Sequence, residues 1–202
     1  MRTKYKAWTK PFLIEHQEVQ IDITSLANLD KPYYLEIGSG KGQFLLKMAK
    51  NNPDKLFIGV ERNQTCAGFT AKKLVDENIE NAKIMWENAD RILMELKENV
   101  VDVIFLNFSD PWPKKKHAKR RLTAEQYLSS YYRILKPHGR LIMKTDQKDL
   151  YDFTLENIKE TKFKLIYQTE NYDKLDDFDV TSEYEDDFRK EGIPIYRLIL
   201  EK

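Results

Sequence analysis

The chain has 202 residues, 41% of them apolar and 33% charged, with a formal net charge of only +1 at pH 7. That length suits one globular domain with a real core, and the near-neutral sum excludes a simple polybasic arm or acidic tail as the whole molecule. A single cysteine excludes an internal disulfide or a cysteine metal cage. No stretch approaches the roughly 20 apolar residues of a membrane span, and the charged start lacks a signal-peptide core, so a soluble, cytoplasmic protein is expected.

The neutral sum hides an uneven distribution. Residues 1–10 carry Arg2, Lys4, Lys6 and Lys10 without an acid, within a basic N-terminal extension read as residues 1–30. Residues 114–121, KKKHAKRR, place six Lys/Arg in eight positions. Residues 170–191 hold ten acids and three bases, a local net charge of −7. A basic side and an acidic side follow.

In chain order, Tyr33–Ile37 is apolar and β-prone and runs into a glycine cluster. From Gln43 the apolar residues Phe44, Leu45, Met48 and Ala49 keep a helical period until Asn52-Pro53. Leu56–Val60 reads as a buried strand, and Asn63 caps a helix through about Glu77. Ala82–Trp86 is a third strand, Arg91–Glu98 a short helix, and Val101–Phe108, the most apolar run, a central strand. Thr123 is the expected cap of a helix ending near Leu135. Lys136-Pro137-His138-Gly139 is a turn, Arg140–Lys144 a fifth strand and Leu150–Thr161 a helix. Phe163–Thr169 and Ile195–Leu200 are strands with no convincing helix between them, hence antiparallel. The expectation is one doubly wound α/β domain over residues 1–202. Its sheet has seven strands, mostly parallel, with an antiparallel edge pair and helices on both faces.

Ligands on such sheets bind beyond the carboxyl ends of the strands. There Glu36-Ile37-Gly38-Ser39-Gly40-Lys41-Gly42 lets the backbone approach a ligand closely before a helix N-terminus. Gln43 stands where the dinucleotide fingerprint needs glycine, and Lys41 is followed by Gly42 rather than by the Ser or Thr of a phosphate loop. Glu61, ending the second strand, suits the two hydroxyls of a ribose, and Asn88 or Asp90 suits an adenine amino group. Glu36 adds attraction for a cation. Adenosine plus positive charge without phosphate describes S-adenosylmethionine.

Asn107-Phe108-Ser109-Asp110-Pro111-Trp112-Pro113 is the most distinctive segment, stiffened by two prolines around a tryptophan. The basic run directly after it matches a polyanionic substrate. Cys66 reads as packing, and three histidines without partners give no metal site.

These residues carry a resemblance. EIGSGKG (36–42), GVE (59–61), NFSDPWPKKKHAKRRL (107–122), MKTD (143–146) and SEYEDDFRKEGIPIYR (182–197), with Trp8 in the basic start, resemble the bacterial tRNA (guanine-N7-)-methyltransferase family. The resemblance spans essentially the full length. It implies a Rossmann-like class I methyltransferase fold, S-adenosylmethionine as donor with S-adenosylhomocysteine as product, no metal, and a guanine in the tRNA variable loop as target. By the family pattern Glu36, Gly38, Gly40, Gly42, Glu61, Asn88 and Asp110 bind the donor and Asp110 is the active-site acid. Lys114, Asp146, Ser182, Glu183, Tyr184 and Glu185 contact the tRNA. The family's usual Thr is Ser182 here, with Thr181 adjacent, and Asn88 replaces the Asp of some relatives.

Asp110 either orients the guanine through its N–H groups or neutralises the sulfonium. Lys114 suits a phosphate or guanine O6. The segment 170–191 either accepts bonds from base and ribose hydroxyls or orders only on RNA. The implied protein acts as a monomer or homodimer without an obligatory protein partner. The competing classes are a nicotinamide oxidoreductase, disfavoured by Gln43, a small-molecule methyltransferase, disfavoured by the basic run, a methyltransferase for another RNA, and a non-catalytic RNA-binding relative.

Overall fold

A computed structural model describes residues 3–29, 31–176 and 178–202. The chain divides into two compact units, residues 1–97 and 98–202.

In the first unit the strands β1 (Tyr33–Ile37), β2 (Leu56–Val60) and β3 (Ala82–Met85) run parallel in the order β3-β2-β1. Every residue of β2 is buried, as continuous apolar runs in parallel sheets predict. The helix Gln43–Asn51 buries Phe44, Leu45, Leu46, Met48 and Ala49, and the helix Gln64–Asp76 starts where the Asn63 side chain accepts the Cys66 N–H. The third helix of this set, Ala89–Glu95, begins two residues earlier than the expected Arg91, because Asn88 caps it.

Within the basic start, the described residues 3–29 hold short helices and a bridge. One helix, Thr9–Glu15, packs on the helix Gln64–Asp76, and Thr9 lies fully buried against Gly68, where a Cβ would come within 2.3 Å of the threonine. The Thr9 hydroxyl donates to the Lys6 carbonyl at 2.7 Å and accepts from Gln64, while Trp8 meets Phe12 and Phe69 edge-on. A short 3-10 turn, Gln17–Val19, leads to an isolated parallel bridge from Gln20 to Ile84, then to a helix Ile23–Ala27 capped by Asp22.

The second unit holds β4 (Val101–Asn107), β5 (Leu135–Thr145), β6 (Lys164–Thr169) and β7 (Tyr196–Glu201) in the order β4-β5-β7-β6. β4 and β5 are parallel, and β7 runs antiparallel to both its neighbours. Among the described residues the strands number seven, mostly parallel with the antiparallel pair expected at the edge. Helices Glu125–Ile134 and Lys148–Ile158 bury Leu128, Tyr131, Ile134, Leu150 and Tyr151. Two expectations change here. Thr123 is not a cap: it is buried and its hydroxyl accepts from Thr154 at 2.7 Å. The turn 136–139 does not separate a helix from a strand but lies inside β5, whose pairing with β4 jumps from Leu135 to Arg140.

The acidic segment holds a helix that apolar periodicity did not predict. It spans Glu183–Lys190, with the Ser182 hydroxyl accepting the Glu185 N–H at 3.1 Å, acids in its first turn and Arg189 and Lys190 in its last. Among the described residues no helix is long and apolar enough to cross a membrane.

Candidate active site

The first unit builds a cradle around the glycine loop. Gly38, Gly40 and Gly42 all have left-handed backbone, at φ of 78°, 56° and 76°. At Gly42 a side chain is doubly excluded, since a Cβ would stand 2.5 Å from Thr70 Cγ2. At Gly40 the reason is different: a Cβ there would meet nothing within 4 Å, so the glycine leaves open space beside the backbone. The loop is tied to the end of β2, with Gly38 and Ser39 N–H donating to the Val60 carbonyl. Thr70 closes the other side by donating to the Gly40 carbonyl at 3.1 Å.

Glu61 stands at the end of β2 as expected, held by the Gly40 N–H at 3.0 Å on one oxygen and by the Asn63 N–H at 2.7 Å on the other. These two bonds fix the group, and a carboxylate oxygen can accept more than one hydrogen bond. Glu36 is 3% exposed within β1, which places a carboxylate at the root of the loop. Among the described residues the buried Ser39 hydroxyl has no hydrogen-bond partner. Asn88 is exposed and caps its helix through the Asp90 N–H at 3.3 Å, which leaves it a second lone pair. An open groove of about 530 Å³ adjoins the end of β3, lined by Trp86 and Arg91 and by Gln17 and residues 20–25. An open glycine backbone, a pinned ribose-type carboxylate, a buried acid and an exposed amide fit S-adenosylmethionine.

The second unit builds a loop of another kind. Phe108, leaving β4, donates its N–H to the Lys144 carbonyl at 2.8 Å. Phe108 and Trp112 are both left-handed, at φ of 51° and 41°, a conformation that costs a non-glycine residue of order 1–3 kcal/mol. Arg121, buried beneath, compensates: its Nε donates to the Pro111 carbonyl at 2.9 Å, its Nη2 to the Trp112 carbonyl at 3.3 Å, and its guanidinium lies 4.3 Å over Phe153. Trp112 stacks on His117 at 5.6 Å, with the Arg120 guanidinium 5.1 Å from its ring. Asp110 is thereby carried exposed on a braced loop, and Lys114 stands exposed at the start of a 3-10 turn, Lys115–Arg120.

Asp146 follows β5 and accepts from Gln147, whose own N–H donates to Thr145. Glu183 is half-buried and Tyr184 exposed, while Ser182 is buried as a helix cap. Glu185 differs most from its expected role. It is fully buried, with one oxygen 2.6 Å from Lys144 Nζ and the other receiving Nε and Nη2 of Arg189 at 3.0 and 2.7 Å. Sequence reasoning passed over Lys144 and Arg121 as site residues. A lysine inside the apolar run RLIMKT was the available signal for the first. The second was one of six basic residues, with nothing local to mark it as buried.

The chain matches a family model described as "Putative methyltransferase" over residues 30–198. A tRNA (guanine-N(7)-)-methyltransferase of Lactobacillus johnsonii is 40% identical, covering 98% of this chain and 97% of that one. This chain belongs to the tRNA (guanine-N7-)-methyltransferase family. Another such enzyme, from Macrococcus caseolyticus, is 36% identical over 98% of each chain. Solved structures place the family member in the class I methyltransferase fold. An antibiotic-related methyltransferase aligns with a TM-score of 0.64 at 16% identity over 91% of this chain and 96% of its own. A SAM-dependent methyltransferase from Aquifex aeolicus aligns at 0.59 and 13% identity over 98% and 99%. Among the described residues no group of His, Cys, Asp and Glu could hold a metal ion.

Proposed function

We propose that this protein transfers the methyl group of S-adenosylmethionine to N7 of a guanine in the tRNA variable loop, giving 7-methylguanosine, in the cytoplasm and without a partner protein. Full-length identity of 40% to a tRNA (guanine-N(7)-)-methyltransferase carries the reading. The glycine cradle and the braced DPWP loop agree with it. Both units serve one methyltransferase domain in this reading.

The bound donor supplies a methyl group on a cationic sulfonium. Glu61 receives the ribose hydroxyls, Asn88 the adenine amino group, and Gly38, Gly40 and Gly42 admit the rest of the donor beside bare backbone. Buried Glu36 attracts its cationic end. Guanine N7 already carries a lone pair, so no general base is required and the chain's task is placement. Well-oriented reactants account for roughly 7–11 kcal/mol of a barrier. Asp110 accepts N–H bonds from the guanine and turns N7 toward the methyl group, a pattern that adenine cannot satisfy. Lys114 and the rest of the basic run meet phosphates, with Asp146, Ser182, Glu183 and Tyr184 on the remaining substrate surface. Glu185 acts on that surface by holding the helix behind it.

The test is methyl transfer from labelled S-adenosylmethionine to unmodified tRNA transcripts, with the modified base mapped. Label on a variable-loop guanine, lost when that guanine is changed, is the expected result. Label on another base, or none with donor and tRNA both bound, overturns the reading.

A further inference from the structure

The sequence leaves a puzzle, a segment of net charge −7 in a protein whose substrate is a polyanion. The structure resolves it through one lysine. Lys144 lies in β5 between Met143 and Thr145, and its side chain is 0% exposed. Its ammonium reaches both oxygens of Asp179 at 3.0 and 3.1 Å, the Val180 carbonyl at 2.9 Å and Glu185 at 2.6 Å. Three N–H donors thus find three residues, all of them in the acidic segment. The two carboxylates are as buried as the lysine, so each charge depends on the others for compensation.

The contacts spread from there. Arg189 takes the second oxygen of Glu185 and reaches the Asp173 carbonyl at 2.9 Å. Arg197 pairs with Asp176 at 2.7 Å, and the guanidinium groups of Arg197 and Arg189 lie 4.3 and 5.6 Å from the Tyr172 ring. Burial pushes the Tyr172 phenol above its ordinary pKa, and its oxygen accepts the Asp176 N–H. The segment from Tyr172 to Arg189 is thereby fastened to β5 and β7. Asp146 follows Lys144 by two residues, and Ser182 caps the very helix whose Glu185 the lysine grips.

We infer that Lys144 is a positioning residue for the RNA substrate: by holding Asp179 and Glu185 inside, it fixes the Ser182–Tyr184 surface beside Asp146 and withdraws two carboxylates from the polyanion. This rests on the tRNA reading above. The residue acts through others and touches neither reacting atom.

The experiment uses the full chain, with Lys144→Met and Asp179→Asn compared against wild type. Three quantities are read: S-adenosylmethionine affinity by calorimetry, kcat and KM with a tRNA transcript, and hydrogen exchange of the amides in 172–190. For Lys144→Met the expected result is a KM for tRNA raised about tenfold, kcat reduced less, faster exchange in 172–190 and donor affinity within about twofold of wild type. Asp179→Asn moves the same readouts in the same direction, by about threefold in KM. Unchanged KM and exchange in a folded Lys144→Met protein overturns the inference, as does a loss of donor affinity equal to the loss for tRNA. If Lys144→Met fails to fold, Asp179→Asn decides by the same criteria. A wild type that never methylates tRNA defeats the functional reading instead, and tRNA affinity together with exchange in 172–190 then still decides the role of Lys144.

Discussion

The loops that follow β1 and β4 both bend through left-handed backbone, yet they are made from opposite materials. The first uses Gly38, Gly40 and Gly42, whose φ angles cost them little, and is fixed by main-chain hydrogen bonds to Val60 and Ser39, with the Glu61 and Thr70 side chains holding the two sides of Gly40. The second uses Phe108 and Trp112, residues that resist such angles, and is fixed by side chains: Arg121 on the Pro111 and Trp112 carbonyls, His117 and Arg120 about the indole. The difference follows from what each presents. In the proposed reading the donor lies against the first backbone, where side chains would be obstacles and glycine stands. In the second loop, which carries Asp110, bulk is useful, and the strain is offset by the groups that enclose it.

This contrast can be broken at four points. Replacing Asp110, as Asp110→Ala, is expected to lower the rate of methyl transfer about 10²–10³-fold, roughly 2.7–4 kcal/mol, with a smaller loss of donor affinity in calorimetry. Next comes Gly42→Ala, whose Cβ collides with Thr70 while the backbone stays left-handed; thermal unfolding should show a loss of about 2–3 kcal/mol. Arg121→Met removes two charged hydrogen bonds from the second loop and should cost about 2 kcal/mol in kcat/KM for tRNA. Trp112 fluorescence in a background lacking Trp8 and Trp86 should report its loosening, while S-adenosylmethionine affinity stays put. The smallest effect belongs to Gly38→Ala, with open space around its Cβ and only the φ penalty to meet, about 1 kcal/mol of stability. If Gly38→Ala proved as damaging to folding as Gly42→Ala, the distinction between an open and a packed glycine in this loop would be wrong.

A fifth measurement sharpens the reading of the basic run that follows the second loop. With about six phosphates contacted, log K for tRNA should fall with log salt at a slope of roughly −4 to −5. A slope near zero would mean that residues 114–121 do not meet the RNA backbone.

How much of this was legible depended on whether the signal was local. The buried strands β1, β2 and β4, the glycine loop and the Asn63 cap announced themselves through short runs of residue type. The helix Glu183–Lys190 did not, because its one buried residue is Glu185: a helix that hides a carboxylate and shows Tyr184 inverts the pattern by which amphipathic helices are recognised. Glu185 itself carried a family role toward substrate, and only its neighbours in space, Lys144 and Arg189, reveal that its oxygens are committed inward. Thr123 lost its expected cap for a similar reason, having a partner in Thr154, 31 residues away. Lys136-Pro137-His138-Gly139 has the residue types of a turn, yet it lies within one long strand as an irregularity with His138 left-handed, which depends on where β4 offers its partners.

The lysine inside β5 also constrains the order in which the second unit assembles. Lys144 stands between apolar neighbours, and the groups that neutralise it lie 35 and 41 residues further along the chain. Until Asp179 and Glu185 arrive, an uncompensated ammonium keeps that part of the strand wet, so the sheet cannot close dry around it. The acidic segment is therefore what seals this part of the sheet: a nascent chain not yet synthesised to that point has every strand of this unit but β7 and still lacks the charges that compensate Lys144.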